Sequence, residues 1–223
     1  MYSSKNTDKE NFLDFWETVV QVDFPKSKIA YKNKSKLMRF LSYFVSLYSP
    51  GFMSHVTTVI GTTMYFPSET YLEGNYRAAL KIACHEYVHF CDRRDQGILF
   101  EVKYLFPQIL AIFGFAFFFM FVHVSFILFA LFFIFLVPGI PAPYRTQIEL
   151  SGFAMTMYVS HHGVPRNPAV EQEALEIAGL FTGSWYYWMA RDRQLIASML
   201  LDRYERFPES HLAFIRIKEW LTI

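Results

Sequence analysis

The pattern of apolar and polar positions changes character several times along the chain. Residues 55–66 read His-Val-Thr-Thr-Val-Ile-Gly-Thr-Thr-Met-Tyr-Phe and end at Pro67. This β-branched run predicts a strand or a short hairpin. A helix is predicted over about 76–95, started by Asn75 and stopped by Gly97, with Leu80, Ala83, Tyr87 and Val88 on its buried side. Residues 104–144 then contain no Asp, Glu, Lys or Arg. A single straight helix of that length would run roughly 60 Å, about twice the hydrocarbon thickness of a bilayer. Pro107 and Pro138 confine the helical part to 108–137, and His123-Val124-Ser125 is the natural break. The prediction is a hydrophobic helical hairpin with arms of about 15 residues, either two tilted crossings or a re-entrant insertion. A second helix opens near Glu149, Pro165 and Pro168 break the chain, and helical periodicity resumes over Glu171–Arg206. Pro208 ends that stretch, and His211–Leu221 predicts a last amphipathic helix carrying Leu212, Phe214, Ile215 and Trp220. The expected fold class is mainly α with a small β element, the hydrophobic hairpin being inserted within one domain. The sequence blocks are 1–52 (helical and basic), 53–104 (strand and helix), 105–143 (hairpin) and 144–223 (the remaining helices).

Composition sharpens this picture. Of 25 Phe residues in the 223-residue chain, twelve lie in 106–135, so the 53% hydrophobic content reflects one segment rather than the whole. Such a composition excludes a disordered or collagenous chain. The net charge of +1 gives no reason to expect a nucleic-acid partner. Two cysteines exclude a disulfide scaffold, and Cys84 and Cys91, seven apart on the predicted helix, stand roughly 10 Å from each other as free thiols. Residues 1–23 carry seven charges and no apolar core, and do not read as a signal peptide. Lys26, Lys28, Lys32, Lys34, Lys36 and Arg39 form a basic cluster without an acid, followed by the apolar stretch 40–52. That arrangement suits either an anionic lipid surface or a solvated basic face. Lys81, Arg93, Arg94 and Lys103 precede the apolar segment and Arg145 follows it, while 122–125 lack Lys and Arg. The positive-inside rule therefore puts both flanks on the cytoplasmic side of a membrane, with lipid as a partner.

The chemistry starts at His85-Glu86-Tyr87-Val88-His89. Histidines four apart on a helix project from one face and can share a metal ion. Glu86 lies beside that face, where it can act as general base towards a metal-activated water. Two imidazoles, a carboxylate and an open position suit Zn2+. Three carboxylates compete for the third ligand: Asp95, Glu101 and Glu149. Glu149 is preferred, because sharing a metal with the histidines requires the chain to return to its starting side after the apolar segment. Charge bias and segment length imply that same return. Asp92 can orient a ligand histidine from behind. His161, His162, Tyr186 and Tyr187 are the candidates for stabilising an oxyanion.

The order strand, His-Glu-x-x-His helix, membrane hairpin and Glu helix resembles the gluzincin group of zinc peptidases over residues 55–160. Its architecture is similar to membrane peptidases of the CAAX-prenyl and heat-shock type, where hydrophobic helices also separate the motif from the Glu helix. Those peptidases carry Asp four residues after the ligand Glu, and Phe153 stands there in this chain. The likeness is therefore closer to a bacterial branch of small gluzincins. Asp95 instead occupies the place of the last ligand of the metzincins, but that branch has Gly where this chain has Asp92. The gluzincin resemblance implies a zincin-like α+β fold, one zinc ion held by His85, His89 and Glu149, and peptide-bond hydrolysis with Glu86 as base. It also implies a peptide or protein substrate, membrane-associated in keeping with the hairpin, and a bacterial inner-membrane location with the site on the cytoplasmic side. The rival readings are a catalytically inactive zincin-like membrane adaptor, a membrane di-iron oxygenase and a pore-forming protein.

Overall fold

The computed structural model describes residues 3–46, 51–106, 123, 125, 127–128, 141–183, 189–207 and 209–222. The fold is mainly helical with one small three-stranded sheet. It divides into two compact units, each discontinuous in sequence. The first takes Met1–Cys91, Gly152–Pro165 and Tyr204–Ile223, and the second takes Asp92–Ser151 and Arg166–Arg203.

In the first unit, helix α1 (Ser3–Phe15) continues through a wider π turn, Trp16–Val20, into a last turn at Gln21–Asp23. Phe12, Phe15, Trp16, Val19 and Val20 recur at helical spacing and are all buried. The sheet combines β1 (Lys28–Tyr31), β2 (Thr58–Ile60) and β3 (Thr63–Phe66), with β3 in the centre. β3 runs parallel to β1, with Lys28 opposite Thr63, and antiparallel to β2, with Thr58 opposite Tyr65. The expected strand region at 55–66 is thus a hairpin, and Gly61 at φ +63° supplies the left-handed residue that its tight turn needs. Met64 and Phe66 point into the core, with no exposed surface.

Helix α2 (Lys36–Val45) precedes the hairpin, and α3 (Glu69–Gly74) follows it. Ser68 caps α3, its hydroxyl accepting from the Tyr71 N–H at 3.0 Å. Asn75 then differs from its predicted role as a side-chain start signal. Its amide donates backwards to the Tyr71 carbonyl at 2.7 Å and closes α3, while its own carbonyl accepts from the Ala79 N–H in the next helix. That helix is α4 (Tyr76–Gln96), one residue longer than expected. Ala83, Tyr87 and Val88 are buried and Leu80 half-buried on it. The half-buried Asp23 carboxylate ties three elements of this unit together: it accepts from the Tyr87 hydroxyl on α4 and, at 3.1 Å, from Arg216 Nε on the last helix. Trp220 donates its indole N–H to Asp14 at 2.7 Å, closing the same end.

The basic cluster is not uniformly a surface feature. Lys32 is completely buried, donating from Nζ to the Phe52 carbonyl at 2.6 Å, with Nζ 3.7 Å from the centre of the Phe52 ring. Burial lowers its pKa to about 7. Lys32 opens the 3-10 turn after β1 and is the one basic residue of the cluster that is buried, which a charge count does not reveal. Lys34 stays exposed and pairs with Glu69 at 2.7 Å.

In the second unit, α5 (Ile98–Leu105) follows a sharp turn at Gly97, whose φ is +57°. The chain is described again from Pro141, and α6 (Pro143–Ser160) begins there and continues into the first unit. α7 (Pro168–Thr182) starts at Asn167, whose side chain accepts from the Ala169 N–H at 2.9 Å. The helical stretch expected over Glu171–Arg206 is interrupted: α7 ends at Gly183, and α8 (Arg193–Glu205) is a separate helix. In the first unit, α9 (Leu212–Leu221) matches the expected last helix, capped by the His211 side chain.

No helix among the described residues is long and apolar enough to cross a membrane. The predicted hairpin over 108–137 lies outside those residues except at 123, 125 and 127–128. Its two flanks are described, and they meet. The rings of Phe106 and Tyr144 stand 6.4 Å apart, and the Arg145 guanidinium lies 4.8 Å from the centre of the Tyr104 ring. The charge-free segment leaves and re-enters the described fold at one place.

Candidate metal centre

Helix geometry builds the first half of the site. His85 and His89 are one turn apart on α4, with their Nε2 atoms 2.9 Å from each other and their rings nearly perpendicular. Both are buried, in a stretch of the helix where Ala83, Cys84, Tyr87, Val88, Phe90 and Cys91 are buried too. Glu149, from the second turn of α6, supplies the other half. One donor atom from each of His85, His89 and Glu149 lies within 4.8 Å of the others, and all three residues are buried. This buried His-His-Glu group can hold a metal ion.

The donor set fits such an ion. Two imidazole nitrogens and one carboxylate oxygen are donors that a metal ion such as zinc accepts. Backbone shape agrees. A Cβ on Gly152 would lie 2.6 Å from the His85 ring, so α6 reaches the imidazole only because that position has no side chain. Phe153 packs edge-on against the same ring at 4.7 Å. A Phe therefore walls the histidine at the position where the resembling peptidases have Asp.

Carboxylate burial is compensated within the second unit. Tyr104 donates its hydroxyl to Glu149 Oε1 at 2.7 Å, and Arg145, one turn before Glu149, places Nε 3.7 Å from that oxygen. An unpaired buried carboxylate would be strongly disfavoured, and these two groups remove most of that cost. Sequence reading missed Tyr104, Arg145 and Gly152 in these roles. Arg145 had a signal in its i,i+4 spacing to Glu149. Tyr104 had none, because 45 residues separate it from its partner.

The other candidates are placed as follows. Glu86 is half-buried, next to His85 and about 100° around the helix from it. Asp92 is half-buried one turn beyond His89. Asp95 is exposed and contacts Arg94 at 3.3 Å, and Glu101 accepts from Arg93 at 2.6 Å, so neither belongs to the buried group. His161 is half-buried and His162 exposed in the turn after α6, the latter at φ +51°. Tyr186 and Tyr187 lie outside the described residues. Cys84, beside His85, is held as a neutral thiol because burial pushes its pKa up. Tyr87 is held neutral by burial first and by its bond to Asp23 second.

No protein-family model matches the chain, and no curated protein or solved structure matches it either.

Proposed function

We propose that the chain is a membrane-associated, zinc-dependent peptidase of gluzincin type, with a zincin-like fold interrupted by a membrane hairpin at 105–143. The observation that carries this reading is the convergence of Glu149 on His85 and His89, with Glu86 between the two histidines in sequence. His85 and His89 would hold zinc through imidazole nitrogen, and Glu149 through a carboxylate oxygen. When bound, the ion supplies Lewis acidity that makes a coordinated water far more acidic than bulk water. Glu86 would serve as the general base and acid of that chemistry, taking a proton from the attacking water and giving it to the leaving amine. Tyr104 and Arg145 hold the Glu149 carboxylate in place, and Phe153 with Gly152 fixes the plane of the His85 ring. The meeting of Phe106 with Tyr144 supports an apolar segment that begins and ends on the same side of a membrane.

The test combines metal content with hydrolysis. Purified protein is expected to contain one zinc per chain, which His85→Ala removes. Glu86→Gln is expected to keep the zinc and lose hydrolysis of a peptide library. Hydrolysis that survives Glu86→Gln would overturn the assigned base. Stoichiometric zinc without hydrolysis by the wild type would favour the inactive adaptor, and protein without zinc would end the peptidase reading.

A further inference from the structure

Helix α5 has two faces of opposite character. Phe100 is buried, and its ring stacks on that of Tyr104 with centroids 5.7 Å apart. Both rings carry an arginine: Arg93 lies 5.1 Å from the Phe100 centroid and Arg145 lies 4.8 Å from that of Tyr104. The other face presents Ile98 (83% exposed), Leu99, Val102 and Leu105 to the outside, and Phe106 continues it. Steps of one, three and three residues put these side chains on one stripe opposite Phe100 and Tyr104. Glu101 and Lys103 occupy the two borders, engaged with Arg93 and Gln96 respectively. In water such a helix would normally turn its apolar stripe inward.

We infer that α5 lies in the plane of a bilayer surface, with Ile98, Leu99, Val102 and Leu105 facing lipid. Continuity with the neighbouring sequence identifies the occupant. The stripe runs through Phe106 directly into the charge-free stretch 104–144, whose other end returns at the half-exposed Tyr144 beside Phe106. Aromatic rings at both ends of an apolar segment suit the headgroup region, and the polar borders of α5 suit the same depth. Tyr104 faces away from the stripe and bonds Glu149, so the carboxylate stands about one helix diameter, roughly 10 Å, from the lipid surface. If the peptidase reading above holds, the site acts on peptide segments that lie against the membrane.

Single cysteines placed at each position from 98 to 105 in the full chain, labelled with a nitroxide, test this in vesicles of equal parts phosphatidylcholine and phosphatidylglycerol. Cys84 and Cys91 are buried, so labelling is directed to the introduced thiol. Collision with apolar oxygen is expected to peak at 98, 99, 102 and 105, with collision with a water-soluble nickel complex low there. Labels at 100 and 104 are expected to be shielded from both. High nickel accessibility along the stripe would overturn the inference, showing a water-facing helix. Shielding of the stripe from both reagents would also overturn it, showing cover by protein such as a second copy. The readout needs neither metal nor hydrolysis, so failure here is separate from failure of the peptidase reading.

Discussion

Gly152 lies so close to His85 that any Cβ there would come within 2.6 Å of the imidazole. The absence of one side chain on α6 thus sets how near the Glu149 helix can come to the two histidines. Gly152→Ala would gain about 1 kcal/mol of helix propensity and lose about 1–3 kcal/mol to overpacking. The expected result is weaker zinc binding, about tenfold or more, with a smaller zinc-induced rise in unfolding temperature. Zinc titration and thermal unfolding with and without zinc measure both, and unchanged affinity would mean that the helix gives way easily.

Tyr104→Phe removes the hydroxyl that orients Glu149 while keeping the ring that stacks on Phe100. Zinc affinity is expected to fall about 10-fold to 100-fold, as for other groups that orient a ligand from behind. Arg145 remains beside the carboxylate and limits the loss of folding stability to about 1–3 kcal/mol. Affinity equal to wild type by competitive chelator titration would remove Tyr104 from the site.

Lys32 makes stability depend on pH. Folded Lys32 keeps its proton only below about 7, against 10.5 for an ordinary lysine. Between those values the unfolded chain binds more protons, so this residue makes stability rise with pH across that window. Below about pH 7 both states are charged and the full cost of burial applies. Lys32→Met is therefore expected to stabilise the protein by about 2–4 kcal/mol at pH 6, after allowing for the lost bond to Phe52 and its ring contact. Near pH 10 the gain disappears and a loss of about 1 kcal/mol remains. Denaturant unfolding at a series of pH values checks this, and a difference independent of pH would contradict it.

Asp23 joins the end of the N-terminal helical region to Tyr87 and to Arg216. Asp23→Asn keeps the shape but removes the charge that Arg216 needs. A destabilisation of about 1–3 kcal/mol is expected, with less effect from the same change in an Arg216→Met background. A double-mutant cycle by thermal unfolding measures the coupling, and additive effects would show that the pair contributes nothing.

Much of the local structure is readable from the chain. Helix α4 comes within one residue of its expected span, and the 55–66 stretch folds as one of the two forms expected for it. The exceptions share a cause. Asn75 sits between two helices, and its side chain bonds to the one behind it. Lys32 belongs to a run of lysines, but it turns inward to the carbonyl of Phe52, twenty residues away, and no local pattern relates the two. Glu171–Arg206 has continuous helical periodicity, yet Gly183 ends the first helix within it.

The sequence by itself determined that His85 and His89 share a face, because four residues on a helix have a fixed angular relation. It also determined that a long apolar segment separates them from Glu149. Only the tertiary structure decided which carboxylate joins the histidines, since that depends on how closely α6 approaches α4. Gly152 permits that approach, while Glu101 is drawn to Arg93 and Asp95 remains exposed. Tyr104 as the partner of Glu149 belongs to the same class: no periodicity relates residues 45 apart, and only packing brings them within a hydrogen bond.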